Sequence, residues 1–344
     1  MTLNRLLLLL FACALSFHAD SSIPQALSQS TNREPVKEEL GQFINANSPD
    51  TSTKLEVMQQ EIYRVEQDIM LQEFVQEYGD HIHLKRVLYA SDSEMIPGLI
   101  FAPLHMAAGK RYAALELLHG GFHGNFDRSF FSYVDAAVAR GFVVFVPEYR
   151  SSRGYGEENY QSDYGFTDLA DVLAGAEFMT HLNYVDGKRL GIIGHSRGGM
   201  LTVSAIEKEP TRFTAAVDLL GLVDFLSYMS YKPDYRRIDV SKEPSFGGKL
   251  PFENIQPYLD VSPINNVSSI QTPLLIVGTT VDNEVPWKLN GGRLAELMKA
   301  EGKVYEMKLY PKTAGLHSFI FGDTPEAQDC LDRSLEFMSK YLKP

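Results

Sequence analysis

The chain is short of several things, and each scarcity removes a class of protein. Among its 344 residues are two cysteines, Cys13 and Cys330, too few for a disulfide framework. Positive charge is scarce: 32 Lys and Arg stand against 44 Asp and Glu, and a formal net charge of −12 argues against a nucleic-acid partner. No apolar run reaches the roughly 20 residues that a membrane-spanning helix needs. The longest, Leu6 to Ala12, follows Arg5 and precedes small residues, the pattern of an export leader. Internal repeats are lacking, and compositional bias is confined to the Ser-, Gln-, Asn-, Glu- and Pro-rich stretch 20–50. A hydrophobic fraction of 44% leaves an ordinary globular domain as the expectation.

The chain reads as four segments. Residues 1–19 read as a signal peptide cleaved near Ser16 or Ser21; alternatively Leu10-Phe-Ala-Cys13 resembles a lipobox, with Cys13 carrying a lipid anchor. Either reading makes the protein exported, whether periplasmic, secreted or lipid-anchored at the cell envelope, and leaves Cys330 unpaired. Residues 20–52 read as a flexible tether. In 53–80, Leu55, Met58, Ile62, Val65, Ile69 and Phe74 recur at three- and four-residue steps, predicting an amphipathic helix from about Thr53 to Tyr78 that ends near Gly79 and packs on the domain, with a lid or a dimer contact as the other readings. From 81 to 344 apolar strand-like runs alternate with helical patterns, which predicts a mostly parallel sheet flanked by helices. The run 222–269 breaks the alternation as a loop-rich excursion with Phe225, Tyr228, Tyr231, Tyr235, Phe246, Phe252 and Tyr258, the composition of a pocket wall or of a packed surface loop.

The chemistry centres on Leu190-Gly-Ile-Ile-Gly-His-Ser-Arg-Gly-Gly-Met200. A buried strand runs into Gly194-His-Ser196-Arg-Gly198 and then a helix; strand, tight Gly-x-Ser-x-Gly turn and helix form the nucleophile elbow of the α/β-hydrolase fold. Flanking glycines let neighbouring backbone pass close to a strained serine. The N–H of Arg197, at the helix start, can donate to a developing oxyanion. A serine nucleophile needs a base, an acid to orient that base, and a second oxyanion donor. In this fold the acid and then the histidine follow the serine. Asp282 lies just beyond the apolar run Leu274 to Val277, with Glu284 as its rival; past both, His317 is the one histidine left in the chain. The run Leu117-Leu-His-Gly-Gly-Phe-His123 matches the His-Gly-Gly type of oxyanion loop, whose donor would be the N–H of Gly121 or Phe122. His119 and His123 stand four apart, but Gly120-Gly121 between them and the lack of a nearby acid oppose a metal site. His195, adjacent to Ser196, reads as structural.

With these residues in hand, the chain from about Leu84 onward resembles the catalytic domain of the prolyl oligopeptidase family of serine peptidases, with dienelactone-hydrolase-like enzymes as relatives. The resemblance rests further on Pro147-Glu-Tyr-Arg-Ser-Ser-Arg-Gly-Tyr-Gly156, Asp171, Val185-Asp-Gly-Lys-Arg189, Ser262-Pro-Ile264 and Thr272-Pro273. It implies Ser196 as nucleophile, Asp282 as orienting acid and His317 as base, with no cofactor and no metal. Glu148 and Ser151 depart from the family's usual Asp and Gly. The family's large peptidases carry a β-propeller; the stretch before residue 81 is shorter than the order of 160 residues that four blades need. The expectation is therefore a serine hydrolase that cleaves peptide or ester bonds through an acyl-enzyme. Its substrate would be a short peptide or a small acyl ester, with Glu284, Tyr228 and Tyr231 as candidate substrate contacts. The rival readings are a carboxylesterase and a non-catalytic binding protein of the same fold.

Overall fold

The computed structural model describes residues 51–160 and 164–344. The predicted leader 1–19, the lipid-anchor site Cys13 and most of the tether lie outside the described residues. The chain divides into two units at Val57/Met58. Of the first, only the opening turns of one helix are described; the sheet, its covering helices and the site all belong to the second.

Eight strands form one sheet in the order β1-β2-β4-β3-β5-β6-β7-β8: β1 Ile82–Ser91, β2 Glu94–Pro103, β3 Tyr112–Leu118, β4 Val143–Pro147, β5 Val185–His195, β6 Ala215–Leu219, β7 Leu274–Thr279 and β8 Tyr305–Tyr310. β1, β2 and β4 pair antiparallel, and from β4 to β8 every pairing is parallel. The inner strands are buried on both faces, which is why they read as continuous apolar runs rather than alternating ones. Helices α2 (Phe131–Ala139) and α8 (Pro325–Leu342) pack with one hydrophobic cluster, α3 (Thr167–Thr180), α4 (Arg197–Lys208) and α7 (Gly291–Ala300) with the other, so the sheet is covered on both faces. This is the α/β-hydrolase architecture that the alternation predicts.

Two expectations are corrected. The N-terminal helix α1 spans Thr51–Tyr78, but Leu55, Met58, Ile62, Val65 and Ile69 are about half exposed. From residue 58 onward it docks through Gln67, Leu71 and Phe74. Phe74 packs edge-on against Phe101 and Phe131, and the Gln60 and Gln67 amides bond to the loop after β4. Periodicity identifies a helix without saying which side its neighbours will cover. The excursion is more helical than predicted: α5 (Phe225–Tyr231), α6 (Asp234–Ser241) and a short helix Gln256–Asp260 lie in it. Their inner face is an aromatic stack in which Phe225, Phe246 and Tyr258 are fully buried. Asp224 starts α5 by accepting the Ser227 N–H at 2.8 Å, a side-chain cap.

Candidate active site

The parallel strands deliver their C-terminal ends to one edge of the sheet, where such folds place their sites. β3 ends at Leu118 before the His119-Gly-Gly loop, and β5 ends at His195 before Ser196. Asp282 follows β7, and His317 follows β8. Ser196 sits at φ 59°, ψ −114°, a conformation costly for a residue with a Cβ. It is held there because its N–H donates to the Leu219 carbonyl at 2.9 Å and its own carbonyl accepts from Met200 and Leu222. The flanking glycines are spatially obligatory: a Cβ on Gly194 would lie 2.0 Å from the Gly198 carbonyl oxygen, and one on Gly198 would lie 2.4 Å from that of Leu118.

Ser196 Oγ lies 2.8 Å from His317 Nε2, and His317 Nδ1 lies 2.8 Å from Asp282 Oδ2. The second Asp282 oxygen, Oδ1, accepts the N–H groups of Glu284 (2.9 Å) and Val285 (2.8 Å). The carboxylate is thus anchored by backbone on one side and offers its free edge to the imidazole. Glu284, the rival acid, points elsewhere: its carboxylate takes the Lys232 ammonium at 2.6 Å, which holds its pKa below the usual range. Its backbone carbonyl accepts the Tyr231 hydroxyl at 2.9 Å.

Arg197 opens α4, so its N–H has no carbonyl within the helix to bond. Gly121 has φ +85°, a conformation open to glycine, and turns the His-Gly-Gly loop over the elbow. No motif in the sequence points to the side chain of Arg197. It is buried beneath this loop, donates to the Phe122 carbonyl and Ser151 Oγ at 2.5 Å each, lies 4.1 Å from the Tyr164 ring centre and pairs with Asp168. Phe122 is further covered by the Arg236 guanidinium, 4.3 Å from its ring centre, and stacks on Tyr164. Tyr228 is buried, and its hydroxyl accepts from Arg236 Nε at 3.3 Å; of the two candidate substrate contacts Tyr228 and Tyr231, Tyr228 serves as packing.

His119 and His123 do not converge. His119 stacks on Tyr149 and reaches Ser152 Oγ at 3.0 Å; His123 stacks on Tyr160 and faces Glu243. Among the described residues no group of three metal-ligating side chains comes together. Behind the loop lies a buried polar network that no local spacing announces. Glu148 accepts from the Phe126 N–H at 3.0 Å and from Gln67 of α1 at 3.1 Å, and its other oxygen lies 3.6 Å from His119 Nε2. Burial pushes the Glu148 carboxyl up to about 8 and the His119 imidazole down to about 3, so both stay neutral near pH 7. Asp218, under the elbow against Gly199 and Gly221, is raised by burial to about 7.

These shifts give stability a pH dependence with a definite sign. Between the ordinary carboxyl range and about 8, unfolding releases a proton that folded Glu148 keeps, so stability falls as pH rises and levels off above that. Buried His119 and His195 act oppositely below about pH 6.5, where only their unfolded forms protonate. In the window from about 6.5 to 8 the raised carboxyls are joined by His81, whose hydrogen bonds to Asp135 and Asp80 raise its pKa. The comparison of variant with wild type is therefore what isolates Glu148. Glu148→Gln, which imitates the protonated acid, is expected to flatten the decline there by up to one proton, about 1.4 kcal/mol per pH unit, in urea unfolding. An unchanged slope would mean that Glu148 is ionised in the folded protein.

Fold and site together define an α/β-hydrolase carrying a Ser-His-Asp arrangement. The model of the prolyl oligopeptidase family matches residues 128–344, and the chain belongs to that family. It is 28% identical over 247 residues to the uncharacterized peptidase YuxL of Bacillus subtilis, covering 70% of this chain and 36% of that protein. It is also 28% identical over 201 residues to the acylamino-acid-releasing enzyme of Rattus norvegicus, covering 57% and 27%. The chain thus spans between about a quarter and about a third of these relatives. Among solved structures it resembles an acylaminoacyl peptidase of Pyrococcus horikoshii, with TM-score 0.66, 20% identity and coverage of 79% and 43%. A puromycin-hydrolyzing peptidase of Mycobacterium tuberculosis gives TM-score 0.64 and 21% identity over 76% and 39%. At these identities the likeness speaks for the fold alone.

Proposed function

We propose that this protein is a serine peptidase that cleaves short peptides through an acyl-enzyme, with Ser196, His317 and Asp282 as its triad. The observation that carries the reading is the unbroken chain of two 2.8 Å contacts from Ser196 through His317 to an Asp282 anchored by backbone. Ser196 Oγ attacks the scissile carbonyl while His317 Nε2 takes its proton; Asp282 holds the Nδ1–H tautomer and stabilises the imidazolium that forms. The N–H of Arg197, with that of Gly121 or Phe122, receives the charge developing on the carbonyl oxygen. His317 then protonates the leaving amine, and a water activated by the same imidazole releases the acyl group. Activated acyl esters would follow the same path.

The charges at the site favour peptides whose amino end is blocked. The carboxylate two residues beyond the triad acid is Glu284, 58% exposed, and it is already neutralised by a Lys232 ammonium that is only 9% exposed. A free substrate ammonium would have to displace a nearly buried cation. The relatives named for releasing acylamino acids agree with this preference. An acylated peptide should therefore show kcat/KM at least about tenfold above the same peptide with a free amino terminus, roughly 1.4 kcal/mol. Fluorophosphonate labelling followed by peptide mapping tests the enzyme class. A folded protein that neither labels at Ser196 nor cleaves peptides would refute the reading, whereas equal rates on free and blocked peptides would refute only the preference.

A further inference from the structure

The residue preceding the nucleophile lies between the His-Gly-Gly loop and the loop that carries the base. β5 carries His195 into the centre of the sheet edge, where it is buried. Its Nε2 lies 3.1 Å from the backbone carbonyl of His317. A carbonyl only accepts, so Nε2 carries the hydrogen and His195 is the donor. The His195 ring also lies 4.9 Å, centre to centre, from the His317 ring and 4.9 Å from Phe321, against which it stands edge-on. On its other side is Gly120 of the His-Gly-Gly loop: a Cβ built there would be 3.2 Å from His195 Nδ1 and 3.0 Å from the His195 carbonyl oxygen.

The loop that carries His317 needs such a tether. Residues 314–316 are exposed, and Gly315 and Leu316 sit at φ 85° and φ 50°, so the turn is strained at a residue with a Cβ. Thr313 is held at one end by its hydroxyl on Thr279, and Phe319 is buried at the other. Between them, every hydrogen bond that ties the loop to the rest of the described chain runs through His317: its two ring nitrogens and its carbonyl. The Nε2 bond to Ser196 must break and re-form as the proton moves, whereas the Nδ1 bond to Asp282 is kept in both the neutral and the protonated imidazole. The carbonyl bond to His195 also persists throughout, and it is the one that holds the loop by its backbone rather than by the imidazole.

We propose that His195 is a positioning residue that holds the base loop through the His317 carbonyl and keeps the imidazole in register with Ser196. Burial, followed by the nearby His317, lowers the His195 pKa to about 3, so the donor stays neutral and its hydrogen bond is not titrated under working conditions. A neutral neighbour also spares His317 the repulsion of a second cation when the imidazolium forms. The role rests on the triad assignment above, but it concerns geometry and can be read separately from turnover.

Three variants separate hydrogen bond from packing. His195→Phe keeps a ring and loses the donor, His195→Gln keeps a donor and loses the ring, and His195→Ala loses both. We expect kcat to fall by about 10- to 100-fold in the Phe and Ala variants, with KM within twofold of wild type. That pattern marks a group felt in the transition state rather than in ground-state binding. The Gln variant should recover kcat to within about threefold of wild type. In parallel, hydrogen exchange at residues 314–318 should quicken in the Phe variant and not in the Gln variant, whether or not a substrate is known. Full kcat in a folded His195→Phe protein, or unchanged exchange in its base loop, would overturn the proposal. If wild type itself fails to label at Ser196, the peptidase reading fails, and the exchange measurement alone decides the role of His195.

Discussion

Ser196→Ala is expected to lower kcat by about 10⁶-fold while the protein stays folded, because the hydroxyl is the one group that can form the acyl-enzyme. The residual rate should remain about 10³- to 10⁴-fold above the uncatalysed reaction, since the N–H donors of the oxyanion loop and the binding surface survive. The fold should be insensitive to the change. The strained turn is held by the Ser196 N–H on Leu219 and by the glycines at 194 and 198, none of which involves the hydroxyl. Alanine must adopt φ near 59° as serine does, so the strain is unchanged between the two. Steady-state kinetics on a variant with wild-type circular dichroism and melting temperature is the measurement. Turnover close to wild type would remove Ser196 from the reaction and with it the whole triad.

Asp282→Asn should cost about 10⁴-fold in kcat, the size seen when the orienting carboxylate is lost from other triads. The structure gives a reason particular to this site. Oδ1 of Asp282 accepts two backbone N–H groups, from Glu284 and Val285, so an asparagine must place its carbonyl oxygen there. Its amide nitrogen is then turned toward His317 Nδ1 and donates to it. The imidazole is driven into the tautomer with hydrogen on Nε2, pointing at Ser196 Oγ, and can no longer accept the serine's proton. Glu284→Gln is the control two residues away. That side chain is tied to Lys232, so its loss should change kcat by less than about tenfold, with any effect concentrated in KM. A Glu284→Gln defect larger than that of Asp282→Asn would show that the wrong acid has been assigned.

The part of the site that can be read from the sequence is local or ordered. Gly194-His-Ser196-Arg-Gly198 is legible because strand, turn and helix are contiguous, and because glycine at those two positions has one steric reason. Asp282 and His317 are legible because each follows an apolar run in the order that the α/β-hydrolase fold uses, and the structure places His317 at hydrogen-bond distance from Ser196 and Asp282 at hydrogen-bond distance from His317. The α1 stripe shows the converse. Its spacing predicts a helix correctly, yet Leu55, Met58, Ile62, Val65 and Ile69 face outward while Gln67 and Phe74 make the contact. Burial of an amide such as Gln67 is favourable only because Glu148 and Tyr155 meet it, and those partners lie over 80 residues away.

Sequence by itself therefore determined the α/β alternation, the elbow with Ser196, His317 as base and the choice of acid down to Asp282 or Glu284, since short-range sterics and strand connectivity dictate these. Tertiary structure alone decided how those residues are held. It turned the Arg197 side chain under the oxyanion loop and onto Asp168, took Glu284 out of contention by giving it Lys232, and set the neutral states of Glu148, His119 and His195 by burying them. It also put the His195 N–H on a carbonyl 122 residues along the chain. Hydrogen-bond partners and desolvation depend on which surfaces meet, and that is a property of the packed sheet and its loops rather than of any window of sequence.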